Sequence, residues 1–188
     1  MKLIFLDIDG VLNTSETFRK RYYEYKKTGI LGLEIDEFRL NYLKKIVEKT
    51  NAKIVLSSTW RNYFIKKNNN IIPVYYKSKQ LVDVFNKYNL DIYDITPHDK
   101  NRYRENEILK YLENRVDVES FIVIDDECAD LKSFVNNELI LIKNDCTSFC
   151  EEENGLLEAH IFDALNRLNS KVYCKKIIIK RSREIYFF

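Results

Sequence analysis

The segment DIDGVLNT, residues 7–14, carries two carboxylates two positions apart, where the apolar run LIFLDI of residues 3–8 gives out. Carboxylates at the end of a buried strand are costly unless a cation or a substrate uses them. Asp7 and Asp9 are therefore candidates for nucleophilic, acid/base or metal-binding work, and Gly10 allows a sharp turn behind them. A second acidic pair, Asp125-Asp126, ends the apolar run at residues 120–124. If these strands are parallel neighbours, both pairs meet at one sheet edge. Their like charges then repel unless a hard cation such as Mg2+ lies between them.

Hydroxyls and cations complete the set. The segment KIVLSSTWR offers Ser57, Ser58 and Thr59 where a third apolar run ends, and such hydroxyls with adjacent backbone donors can hold phosphate oxygens. The same residues also suit the cap of a helix starting near Trp60, and Arg61 suits either the site or the surface. A phosphate also needs a fixed positive charge. Lys100, Arg102 and Arg104 precede a helical pattern containing Glu107 and Ile108, and any one of them can supply it.

Elements of known type must position these groups. Short apolar runs at 3–8, 53–58, 120–126 and 138–143 fit strands buried on both faces. Helical spacing lies between and after them: Phe38, Tyr42, Leu43, Ile46 and Val47; Leu81, Val82, Phe85 and Tyr88; Ile108, Leu109 and Leu112; and a late helix from Leu156 to Leu168. Strands alternating with helices predict an α/β fold with a mostly parallel sheet, in which ligands bind outside the carboxyl ends of the strands.

Two segments depart from the alternation. Residues 13–35 are polar, tyrosine-rich and basic, and read as a small flap or insertion arching over the strand ends. Residues 171–188 read as a terminal strand or hairpin appended to a core of residues 1–170.

The chain has 188 residues, 45% of them hydrophobic, which is enough for one domain with a sizeable core and excludes a structureless or collagen-like chain. Thirty-one Lys and Arg residues oppose 29 acidic ones, and a net charge of +2 names no nucleic-acid or membrane partner by itself. The four cysteines form no CxxC pair and read as reduced, mostly buried thiols. Asp7 and Asp9 interrupt the N-terminal apolar run before it can be a signal-peptide core, and no run reaches the roughly 18 residues of a membrane span. The expectation is a cytoplasmic protein without a membrane partner.

The combination resembles the haloacid-dehalogenase-like (HAD) phosphohydrolases. Their DxD motif matches Asp7-Ile8-Asp9; their strand-terminal Ser or Thr matches Ser57; their Lys or Arg near a helix start matches Arg104 first and Arg102 second; their acidic pair matches Asp125-Asp126. The chain is most similar to the compact HAD domain of Swiss Army Knife RNA-repair proteins, at SSTWR, at Arg104 before Glu107-Ile108, and in the Gly-Leu helix carrying His160.

The resemblance implies a three-layer Rossmannoid fold without a large cap, and a Mg2+-dependent phosphomonoesterase. Asp7 would be the nucleophile and Asp9 the acid/base. The metal would be held by Asp7, the Asp9 carbonyl and Asp125, with Asp126 in support, and Ser57 and Arg104 would clamp the phosphoryl group. The substrate is expected to be a phosphorylated small molecule or nucleotide. Gly10, Ser58, Thr59, Trp60, Arg61, Arg102, Tyr22 and Tyr23 are expected to line its path. Trp60 and the insertion's tyrosines can stack on bases while its Lys and Arg residues meet phosphates, which keeps nucleic-acid end processing open as an alternative. A noncatalytic binding protein of this fold is the third reading.

Overall fold

Strands whose side chains are apolar on both sides must be covered on both faces, and the chain meets that demand with helices. The computed structural model describes residues 1–68, 70–113, 115–135, 138–142 and 154–170. Within them run β1 (Lys2–Leu6), α1 (Ser15–Thr28), α2 (Glu37–Thr50), β2 (Lys53–Leu56), β3 (Phe64–Lys67), β4 (Asn70–Pro73), α3 (Tyr76–Lys87), β5 (Ile92–Ile95), α4 (Arg104–Leu112), β6 (Ser120–Asp125), β7 (Leu139–Leu141) and α5 (Ala159–Asn169). A short 3-10 helix, Thr59–Tyr63, follows β2.

The five-stranded sheet has the order β5-β2-β1-β6-β7, and every pairing in it is parallel. On one face Ile4, Leu6, Ile54, Ile122 and Ile124 pack against α2, α3 and α5 through Leu43, Phe85, Ala164 and their neighbours. On the other, Leu3, Phe5, Val55, Phe121 and Val123 pack against Ile108, Tyr111 and Leu112 of α4. Phe5 meets Tyr111 and Phe121 edge-on at centroid distances of 5.5 and 5.7 Å, a favoured geometry for aromatic pairs. This is a three-layer α/β Rossmannoid fold, and no large cap domain is inserted among the described residues.

Helix ends follow local chemistry. Asp36 accepts a hydrogen bond from the Phe38 amide to start α2, and Asn51, at φ 54°, closes it in the left-handed region. The loop before α5 rests on α2 where Gly155, at φ 73°, lies so close to Arg39 that an added Cβ would sit 2.7 Å from Nε. Arg39 itself is buried and donates to the Leu156 carbonyl at 3.2 Å. At the start of α5, His160 Nδ1 accepts from the Leu157 amide at 3.0 Å, so this histidine is a local cap.

Three expectations need revision or lie elsewhere. The insertion at 13–35 contains a regular helix, α1, with no buried residue, and β3 and β4 pair antiparallel. Cys128, the cysteine among the described residues, is exposed rather than buried. The expected strand or hairpin at 171–188 lies outside the described residues. No helix among them is long and apolar enough to cross a membrane.

Glu138, at the entry to β7, is 2% exposed, and neither of its carboxylate oxygens has a hydrogen-bond partner among the described residues. Burial pushes its carboxyl up to about 7, against a weaker pull from Arg167. The folded state therefore holds a proton there that the unfolded chain releases above the ordinary glutamate range, so this group costs stability progressively as pH rises through that range to about 7. Glu138→Gln is expected to flatten this dependence and to gain roughly 1–3 kcal/mol over wild type at pH 8 relative to pH 4.5. Parallel melting curves of the two proteins at those pH values would contradict it.

Candidate active site

Parallel pairing brings the carboxyl ends of β2, β1 and β6 together, and strand alternation decides which side chains meet. Phe5 faces α4, so Asp7 continues that row; Val55 leads to Ser57, and Val123 to Asp125. The backbone bonds of Asp7 N to Ile124 O and Ser57 N to Leu6 O, both 2.9 Å, carry the register past the strand ends. Ser57, Asp7 and Asp125 thus form one row facing the N-terminus of α4, and Arg104, the first residue of that helix, closes it.

Arg104 Nη1 hydrogen-bonds Asp125 Oδ2 and stands 3.4 Å from Asp7 Oδ1. Burial disfavours its charge, but Asp7 and Asp125 outweigh burial and hold the guanidinium firmly protonated. Burial pushes the Asp7 carboxyl up to about 7; Arg104 opposes this, Asp125 and Asp126 add to it, and the Ser58 hydroxyl lowers it. Asp125 is pushed up to about 6, again chiefly by burial and against Arg104. Two buried carboxylates that resist joint ionisation mark a place where additional positive charge is favoured.

Asp7, Asp125 and Asp126 each bring a carboxylate oxygen within 4.8 Å of the others. Such clustered hard oxygens fit a divalent cation of the magnesium type. The Asp9 carboxylate does not join them, and the expected contact of Asp9 with a metal is through its backbone carbonyl. It turns instead to Trp60, whose indole N–H donates to Oδ1 and Oδ2 at 3.1 and 3.0 Å, and to Asn13 Nδ2 at 2.9 Å. Asn13 Oδ1 accepts from the Gly10 amide at 3.0 Å, and Gly10, at φ 79°, makes the turn that brings these groups together. Asp9 therefore has a fixed orientation beside the nucleophile candidate.

The remaining expected residues divide. Ser57 is fully buried and its Oγ has no hydrogen-bond partner among the described residues, a donor that suits a ligand oxygen. Ser58 Oγ accepts from the Trp60 amide and so caps the 3-10 helix. Thr59 and Gly10 line an open crevice of about 710 Å³ together with Asp7, Asp9, Arg104 and Asp126. Arg61 is buried, pairs with buried Glu107 at 2.5 Å to tie the 3-10 helix to α4, and also lines the cleft beside the crevice. Trp60 is 3% exposed, so it holds Asp9 rather than offering a ring face to a base. Arg102 is exposed, at φ 58°, and lines a neighbouring cleft with His98 and Asn62, so the residue facing the acidic cluster is Arg104. Tyr22 and Tyr23 stand exposed on α1, outside the crevice.

Sequence reasoning missed several lining residues. Asn13, Phe18, Glu34 and Lys77 all face the crevice. Asn13 was findable from its fixed distance behind the DxD pair. Lys77 and Glu34 come from separate elements and meet through a 2.7 Å ion pair at the crevice mouth, a contact that no local motif announces.

A family model described as the HAD domain in Swiss Army Knife RNA repair proteins matches residues 3–161. Neither the curated proteins nor the solved structures give a match to this chain.

Proposed function

This chain belongs to the family of HAD domains found in Swiss Army Knife RNA repair proteins, and from that premise we propose that it is a Mg2+-dependent phosphomonoesterase acting on phosphorylated nucleic-acid or nucleotide ends. The observation that carries the reading is the buried row of Ser57, Asp7 and Asp125 closed by Arg104, with Asp9 held beside it. The Ser58 hydroxyl and the Arg104 guanidinium both act on the Asp7 carboxylate, while the Asp9 carboxylate is oriented separately. That division suits a nucleophile and an acid/base.

In this reading one Asp7 oxygen attacks phosphorus, forming an aspartyl-phosphate as the bond to the leaving alkoxide breaks. Asp9 donates a proton to that leaving oxygen and then takes one from the water that attacks phosphorus of the acyl phosphate. In that second step the bond between the Asp7 oxygen and phosphorus breaks, phosphate leaves and the Asp7 carboxylate is regenerated. Arg104 and Ser57 hold the non-bridging oxygens, whose charge builds during transfer. Asp7, Asp125 and Asp126, with the Asp9 carbonyl, would hold Mg2+, which would supply charge neutralisation for both carboxylates and phosphate. The open crevice, without a large cap, favours a substrate whose bulk extends away from the site.

Chelation is expected to abolish phosphate release from an aryl phosphate, and added Mg2+ to restore it. Calorimetric Mg2+ affinity should weaken as pH falls below about 7, because a proton on Asp7 then competes with the metal. Robust turnover in EDTA would contradict the metal assignment, and Mg2+ affinity that is flat from pH 8 to 5.5 would contradict the ligand assignment.

A further inference from the structure

A helix on a domain surface ordinarily turns its apolar side inward. The opposite holds for α1, which has no buried residue. Thr17, Lys20, Arg21 and Glu24 line the cleft between this helix and the segment around Leu33, Ile35 and Asp36. Arg21 fixes the arrangement, donating to the Gly32 carbonyl at 2.7 Å and to Glu34 at 2.9 Å. Phe18, Tyr22 and Tyr25, spaced four and three residues apart, occupy the outer side and are 42%, 54% and 49% exposed.

At about 100° per residue these rings share a stripe roughly 60° wide. Lys26 lies over the Tyr22 ring at 5.2 Å, and Arg19 flanks the same side. The stripe does not end on blank surface, because Phe18 also lines the crevice that contains Asp7, Asp9 and Arg104. Phe18 to Tyr22 is a rise of about 6 Å along the axis, at roughly 1.5 Å per residue. That step exceeds the ~3.4 Å base spacing within a duplex strand and suits bases that have come unstacked.

We propose that the outer face of α1 is a track for single-stranded polynucleotide, with Phe18, Tyr22 and Tyr25 as successive stacking platforms that lead a phosphorylated end into the Asp7 crevice. Aromatic faces take bases without regard to sequence, and the neighbouring cations meet the strand's phosphates. The basic charge of the helix matches a polyanion, and the continuity with a phosphate-processing crevice favours a strand over a lipid surface. This deepens the functional reading and rests on it only for the destination of the strand end.

The test separates the two. Binding is measured by fluorescence anisotropy with Asp7→Asn protein and a labelled single-stranded oligonucleotide of about ten nucleotides carrying a terminal phosphate. A matching duplex and vesicles of phosphatidylcholine and phosphatidylserine serve as competing arms. Because α1 buries nothing, substitutions on its outer face leave the core intact. Tyr22→Ala/Tyr25→Ala is expected to weaken oligonucleotide binding at least roughly tenfold. Lys26→Ala is expected to lower the slope of log affinity against log salt by about 0.7. In active protein, kcat/KM for the oligonucleotide should fall by the same factor relative to that for p-nitrophenyl phosphate.

Tyrosine-dependent strand binding in a protein without turnover would support the track while removing the reaction. Turnover of small phosphates with strand binding indifferent to the tyrosines would overturn the track alone. Tyrosine-dependent binding of vesicles without strand binding, or tyrosine-dependent self-association in sedimentation, would also overturn it and reassign the face to a membrane or to a second copy.

Discussion

Asp7→Asn is expected to lower kcat by roughly 10⁴-fold or more, as removal of a nucleophile does in other covalent catalysts. The amide keeps the size and shape of the carboxylate but cannot attack phosphorus. The fold should not suffer. Burial and the neighbouring Asp125 and Asp126 already oppose the Asp7 charge, so an uncharged side chain relieves repulsion, although Arg104 loses one of its two carboxylate partners. Steady-state kinetics and thermal melting measured together check this. A variant that unfolds, or one that retains more than about a hundredth of wild-type kcat, contradicts the assigned role.

Arg104→Ala should give the second largest loss. Its guanidinium is the fixed charge bridging Asp7 and Asp125, and removing one such preorganised donor typically costs 10²–10³-fold in rate. The substitution should also tighten Mg2+ binding, because a cation that repels the metal is gone while the three carboxylates remain. Loss of activity with gain of metal affinity is not what a misfolded site produces. Arg104→Lys should recover part of the rate, since a point charge returns without the planar fork. Equal damage to activity and to Mg2+ affinity would show that Arg104 only holds the site together.

Much of this architecture could be read from the residues. The runs at 3–8, 53–58, 120–126 and 138–143 announced the strands β1, β2, β6 and β7 because most of their residues are buried, on both faces of β1 and β6, which leaves nearly uninterrupted apolar letters. Asp7 and Asp125 stood out for the same reason, as charges at the ends of such runs. Edge strand β5 and the β3–β4 hairpin escaped notice because they are four residues each and partly exposed, so neither a long run nor a clean alternation marks them. The helix in residues 13–35 escaped because periodicity detects burial, and α1 buries nothing.

At the site, types were legible but directions were not. The SSTWR segment marks Trp60 and Arg61 as polar groups near the site, and only the fold shows that the first gives its N–H to Asp9 and the second pairs with Glu107. Both are tertiary pairings across 51 and 46 residues, beyond any local spacing rule.

The most direct test of the central claim is to look for phosphate on Asp7 itself. Asp9→Asn protein, mixed with an aryl phosphate whose leaving group needs little protonation, is acid-quenched and digested, and the peptide containing residues 7 and 9 is read by tandem mass spectrometry. Without the Asp9 carboxylate to activate water, the acyl phosphate should accumulate, and the added phosphate should localise to Asp7 and vanish in the Asp7→Asn/Asp9→Asn double variant. Phosphate release by wild type with no phosphorylated peptide at any quench time, in either wild-type or Asp9→Asn protein, would contradict it.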